Sequence, residues 1–269
     1  MADLSPAVLR PDAPGPRPFR VQRVPATGPL AAVVDNLWCV QWALPAGRTY
    51  EQHVVTDPCG HLTVEDGLAW VRGVVGHRFR RRLVGAGRAV GAKLRPGGLS
   101  ALTDVPPASL VDRRVPATEV LGDVADLVGA VDEAPDAGAA MAAFGRWLAD
   151  RDPRPRDGAE LVDQAVELAT RDRELTRVDE LAAALGVPVR TLQRRFDRHL
   201  GVGPKWVLNR CRIQDALAAI EAGGTVDWAD LAVRLGYADQ SHFVNSFTAL
   251  VGVPPDRYRR RRRAARPSR

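Results

Sequence analysis

Cysteine is scarce: Cys39, Cys59 and Cys211 are the only three in 269 residues. They are odd in number and lack the spacing of a disulfide framework. That argues against a secreted fold held by disulfides and points to a reducing compartment. No apolar run approaches the ~20 residues that a membrane-spanning helix needs. The first 18 residues carry Pro6, Pro11, Pro14, Pro16 and Pro18 and have no apolar centre of signal-peptide type. These absences lead to the expectation of a soluble, cytoplasmic protein with no membrane partner.

Apolar residues make up 45% of the chain, enough for packed cores, and the length suits two domains of ordinary size. The net charge of +6 favours a polyanionic partner. Dividing the chain after residue 156 leaves +2 on the longer N-terminal part and +4 on the shorter C-terminal part. Much of that excess lies in Arg259 to Arg263, Arg266 and Arg269.

The fold class expected is α+β. Residues 1–18 read as a disordered or extended leader. Residues 19–150 read as a β-rich domain, since Leu37–Trp42, His53–Thr56, Leu62–Glu65, Leu68–Val71, Phe79–Val84 and Arg88–Leu94 are short apolar runs broken by Gly and Pro. Helices over 99–103, 119–131 and 137–149 close that domain. The proline-interrupted 151–158 reads as a linker, and 159–258 as an all-helical domain followed by the arginine tail 259–269.

Within the helical part, two stretches repeat each other. Leu181 to Leu185, Gly186, Leu192, Phe196, Leu200-Gly201 and Pro204 return as Leu231 to Leu235, Gly236, Phe243, Phe247, Val251-Gly252 and Pro255. The offset is 50 residues before the turn and 51 after it. A doubled helix–Gly–helix pattern suggests two helix-turn-helix units. The helices expected are Ala159–Arg171, with Leu161, Ala165, Leu168 and Ala169 on one face; Thr176–Leu185, with Thr176 and Asp179 as cap candidates; Val189–Leu200, ended by Gly201; Pro204–Ile220, stopped by Gly223-Gly224; one opening at Asp227; and Gln240–Val251.

The period of 3.6 residues separates the faces of each second helix. Leu192 and Phe196 mark a buried stripe, and Arg190, Gln193, Arg194 and Asp197 fall opposite. Phe243 and Phe247 mark the other stripe, with Ser241, Asn245 and Thr248 opposite and His242 and Val244 flanking. Arg can pair with guanine O6 and N7, and Gln or Asn with adenine N6 and N7. A polar outer face is also what any solvated helix shows; it is two such faces in tandem, each behind a glycine turn, that point to DNA.

The stretch Leu235-Gly236-Tyr237-Ala238-Asp239-Gln240-Ser241-His242-Phe243-Val244-Asn245-Ser246-Phe247, closed by Gly252-Val253-Pro254-Pro255 and Tyr258-Arg259, resembles the signature of bacterial AraC/XylS-type transcription regulators. Leu192-Gln193-Arg194-Arg195-Phe196 with Leu200-Gly201 and Pro204 resembles that family's first unit. The resemblance covers residues 160–260 or so. It implies a sequence-specific regulator with no chemistry of its own, whose helices 189–200 and 240–251 enter successive major grooves ~34 Å apart. By position it implies base reading by Arg190, Gln193, Arg194, Gln240, Ser241 and Asn245, where many relatives carry Arg at the place of Asn245. Thr191, Arg198, His242, Thr248, Arg259 and Arg260 are expected to flank the bases or touch phosphate. The arginine tail is either a solvated terminus or a phosphate contact that adds affinity without sequence choice.

In the first domain, Arg80-Arg81-Arg82-Leu83 and Gly91-Ala92-Lys93-Leu94-Arg95-Pro96-Gly97-Gly98 resemble the β-rich N-terminal domains fused to a subset of these regulators. That implies cupin-like architecture and an effector or dimerisation role: a small-molecule effector and a homodimer join double-stranded operator DNA as expected partners. No cofactor is expected. His53, Cys59, His61 and His77 are the available metal ligands, but their spacing matches no zinc pattern. Trp38, Trp42 and Trp70 suit either core packing or the wall of a pocket. The competing reading is an enzyme, a cupin-type metal oxygenase or a DNA-repair methyltransferase with a fused DNA reader, and it lacks the cysteine cluster that methyl transfer needs.

Overall fold

The computed structural model describes residues 7–9, 18–223 and 226–264. The first domain contains two antiparallel sheets. The larger has the order β2-β3-β8-β5-β6-β9, made of Phe19–Pro25, Val34–Ala43, Ala86–Leu94, His61–Glu65, Leu68–Arg72 and Arg114–Pro116. The smaller sets β4 (Thr49–Val55) between β1 (Ala7–Leu9) and β7 (Phe79–Val84). The leader is therefore not wholly free of structure: Ala7 pairs with Val55 and Leu9 with His53. The other leader positions lie outside the described residues, Pro18 apart.

Alternation decides which side of the larger sheet is dry. Leu37, Cys39, Leu62, Val64, Val90 and Ala92 point to one face and are buried against α3 (Ala125–Asp132) and α4 (Ala137–Asp150). Each apolar side chain so covered contributes on the order of 1.5–3 kcal/mol. Two short helices precede them, α1 (Leu99–Leu102) and α2 (Thr118–Leu121). The single helix expected over 119–131 is thus two, because Gly122 adopts φ +75° and the Asp123 carboxylate then accepts the Ala125 N–H at 2.9 Å to start α3.

Seven helices follow: α5 (Ala159–Arg171), α6 (Val178–Ala184), α7 (Val189–His199), α8 (Pro204–Ala222), α9 (Trp228–Arg234), α10 (Gln240–Val251) and α11 (Pro255–Ala264). They form two cores. Leu181, Leu192, Phe196, Val207 and Leu208 belong to one; Ile213, Leu217, Leu231, Phe243 and Phe247 belong to the other. The halves of α8 are thus divided between them. Its 19 residues span about 28 Å at 1.5 Å per residue.

The segment between α4 and α5 has no regular structure but is pinned. Arg156 donates to the Thr103 carbonyl at 3.1 Å and pairs with Asp104, while the Asp157 carbonyl receives Arg195 at 2.8 Å. In α5 the dry stripe runs through Val162, Ala165, Val166 and Ala169; Leu161 and Leu168 lie at its margin, half-buried. Among the described residues no helix is long and apolar enough to cross a membrane.

The glycine-rich stretch after β8 is explained by close packing. A Cβ on Gly97 would lie 2.7 Å from the Ala159 carbonyl oxygen, and one on Gly98 would lie 2.2 Å from that of Val33. The Gly97 N–H and the Arg95 guanidinium both reach the Asp163 carboxylate at 2.8 Å. The motif is where the β domain meets α5.

Candidate nucleic-acid interface

Each unit is built by the same devices with different chemistry. In the first, Gly186 turns the chain between α6 and α7 at φ +67°. Neither Thr176 nor Asp179 caps α6. Glu180 does so from inside the helix, accepting the Thr176 and Arg177 N–H groups at 3.0 and 2.9 Å, while Asp179 is drawn aside by the Arg177 guanidinium at 2.7 Å. In the second unit, Asp227 caps α9 through the Ala229 and Asp230 N–H groups. Gly236 makes the turn at φ +71°, and Asp239 caps α10 by accepting the His242 N–H at 2.7 Å.

Helix α7 buries Leu192, Phe196 and His199. Arg190, Gln193, Arg194, Asp197 and Arg198 are exposed, and Thr191 is half-buried beside them. Helix α10 buries Phe243, Phe247, Leu250 and Val251 and exposes Gln240, Ser241, His242 and Asn245. Both outer faces are therefore clear of their own cores. Thr248 is half-buried, and its hydroxyl donates to the Val244 carbonyl at 2.6 Å, so it already has a partner. The His242 ring stands edge-on to Tyr237 at 5.2 Å.

The first part of the tail is helical. Residues 259–264 continue α11, where Arg259 pairs with Asp256 at 2.9 Å and lies over the Trp228 ring, and Arg260 pairs with the same carboxylate at 2.6 Å. Arg262 reaches Glu221 at the end of α8. Arg266 and Arg269 lie outside the described residues.

Sequence reasoning missed the ties between the units and the β domain. Arg210, at the middle of α8, is fully buried and donates to the Thr56 carbonyl and to Asp57 at 2.7 Å. Asp57 also holds Lys93 at 2.7 Å, and Lys93 reaches Asp35 at 3.0 Å. Four charges thus join β3, the turn after β4, β8 and α8. Behind α7, the His199 ring places Nδ1 2.8 Å from the Ser100 hydroxyl and donates from Nε2 to the Asp157 carbonyl at 3.1 Å. No local spacing could reveal contacts between residues 153 apart.

The metal candidates do not converge. His53 is bonded to Glu51, and His77 pairs with Asp112 at 2.9 Å. Only Cys59 and His61 meet, Sγ to Nε2 at 3.6 Å. Burial raises the Cys59 thiol to about 12 and lowers His61 to about 4. Among the described residues no three His, Cys, Asp or Glu side chains are placed to hold an ion.

Two helix-turn-helix units on one shared helix define the class of the C-terminal domain: a double helix-turn-helix. Residues 181–261 match a family described as a helix-turn-helix domain, and residues 22–116 match a domain of unknown function, DUF6597. The C-terminal domain is an AraC-type helix-turn-helix domain, with a separate domain before it. It is 34% identical over 83 residues to a protein of Streptomyces lividans described as an AraC-like transcription regulator. That match spans 31% of this chain and 27% of the relative's own length. Among solved structures, ToxT from Vibrio cholerae is 11% identical with a TM-score of 0.40, covering 90% of this chain and 97% of that one. The unsaturated fatty acid bound form of ToxT gives 10% and 0.36, over 90% and 91%.

Proposed function

We propose that the chain is a sequence-specific DNA-binding transcription regulator that lays α7 and α10 in successive major grooves on one side of the duplex. The observation that carries this reading is the pair of exposed polar helix faces held apart by one continuous helix, α8. Arg190, Gln193 and Arg194 read bases from α7; Gln240, Ser241 and Asn245 read them from α10. Thr191, Arg198, His242, Arg259 and Arg260 flank these positions and contact phosphate. The contacts at Arg210 and His199 support a regulatory role for the β domain.

The test is selection of binding sites from random duplex DNA by the full chain, followed by anisotropy titration of the selected duplex. Enrichment of a site with two blocks of preferred bases about one helical turn apart is expected. Binding that stays equal for selected and scrambled duplexes would overturn the reading.

A further inference from the structure

The two units are tied to each other as well as to α8. Asn209, Arg212 and Asp215 stand three residues apart and so share one stripe of that helix. Asn209 lies in the half of α8 that packs on the first core, beside Leu208 and Cys211. Yet its side-chain oxygen accepts the Tyr237 hydroxyl of the second unit at 2.6 Å. Asp215 lies in the other half, beside Ile213 and Ala216 of the second core. It pairs at 3.3 Å with Arg173, from the loop between α5 and α6 in the first unit. The ties are therefore crossed, each half of α8 holding the unit that packs on the other half.

Arg212 stands where they cross. Its guanidinium donates to the Thr176 carbonyl in the first unit's loop and lies 5.3 Å from the centre of the Tyr237 ring. At that distance a cation is drawn to an aromatic face. The Thr176 N–H is already held by Glu180, the residue that caps α6. Tyr237 packs against Phe243 at 5.4 Å, in the first turn of α10. One side chain thus links the start of α6 to the start of α10. The turn of the second unit lies against the same loop, since a Cβ on Gly236 would come within 3.0 Å of the Thr176 side chain.

We propose that Arg212 is a positioning residue that fixes the separation and relative rotation of α7 and α10, and with them the spacing of the DNA site. The inference rests on the DNA-binding reading above and adds what sets the distance between the two blocks of the site. Because a long helix can curve, α8 by itself leaves the two units room to swing against each other. Contacts set off its axis resist that swing. A rigid connection concentrates the second unit where one spacing needs it, whereas a loose connection spreads it over several. One inserted base pair carries a block ~3.4 Å along the duplex and about 35° around it. Tolerance to such a step therefore reads the stiffness of the connection.

Anisotropy titrations test the proposal with the duplex selected by the full chain and with two altered duplexes, one base pair longer or shorter between the blocks. The parent should lose roughly tenfold or more on either altered duplex. Arg212→Ala should bind the selected duplex several-fold less tightly, yet lose no more than about threefold when the spacing changes. Base preference within each block should stay. Arg212→Lys, which keeps a cation between Thr176 and Tyr237, should fall between the two. Parent-like discrimination by Arg212→Ala, an equal loss on all three duplexes included, overturns the proposal. A parent indifferent to spacing overturns it as well. A parent that binds selected and scrambled duplexes equally fells the DNA-binding reading, and this inference with it. Should Arg212→Ala fail to fold, the double substitution Tyr237→Phe with Asp215→Asn removes the crossed ties on either side of Arg212. Relaxed discrimination by that variant supports the proposal, and parent-like discrimination overturns it.

Discussion

The two helix-turn-helix units share a scaffold and differ in almost everything placed upon it. The first has a mainly aliphatic core, a second helix with three exposed arginines (Arg190, Arg194 and Arg198), and a back wall tied to α1 of the first domain through His199 and to the linker through Arg195. The second has an aromatic core in which Tyr237, Phe243, Phe247 and Tyr258 meet ring to ring within 6.0 Å. Its exposed face carries amides and hydroxyls, and an aspartate caps the start of its second helix. It reaches the β domain through Val55 and through Arg78, which packs on Gly252.

The largest effect should come from the point where the units join. Asp57→Ala leaves Arg210 without a carboxylate in the interior while Lys93 keeps Asp35, and leaving a buried charge unpaired costs about 3–5 kcal/mol. Urea unfolding should show the whole loss, and both cores should weaken together because α8 belongs to each. Loss confined to the first unit in hydrogen exchange would break that picture.

Next comes the contrast between reading faces. Arg194→Ala should weaken binding to the selected duplex by about 1–3 kcal/mol, as expected for a bidentate base contact, without changing thermal stability. Asn245→Ala should cost less. Anisotropy titrations of the two variants sharpen the comparison, and the reverse order would invert it.

A smaller effect is expected from acid. Burial holds His199 below its ordinary value and takes His61 down to about 4. Both are neutral in the fold, whereas the unfolded chain binds their protons near pH ~6.5. The unfolded state therefore holds more protons below that point, and stability present above pH ~6.5 is lost as pH falls toward ~4. His199 stands behind α7 and has no counterpart behind α10. Amide exchange in α7 should accelerate first on acidification, which pH-dependent exchange would read.

The smallest effect belongs to the tail. Arg260→Gln removes an exposed ion pair, so unfolding free energy should move by less than ~1 kcal/mol. If Arg260 meets phosphate, the logarithmic salt slope of DNA binding should fall by about 1.

The helical domain was legible because its signals are local. Leu192 and Phe196, Phe243 and Phe247, Asp227, Gly186 and Gly236 each act within one or two turns of their own position, and α5 and α10 begin and end where the periodicity puts them. The cap of α6 was misread because Glu180 reaches backward, a choice that Thr176 and Asp179 obscure. The β domain yielded its strands but not their pairing, since register depends on partners far along the chain. Arg81 and Arg114 drew no notice as a pair, because nothing short of the sheet order brings both to Glu65. Arg195, next to Arg194 in sequence, turns inward to Asp157 and is no reader; only the contact reveals that.

The buried charges at Arg210 also bear on the order in which the protein is made. Asp35, Asp57 and Lys93 lie in the part that leaves the ribosome first, and Lys93 already bridges both carboxylates. The nascent β domain is thus left one cation short, with Asp57 awaiting a guanidinium that is translated 153 residues later. Domains fold as units during synthesis, the N-terminal one first. The last charge of its interior arrives only with the middle of α8, so the β domain is completed by the helix that joins the two helix-turn-helix units.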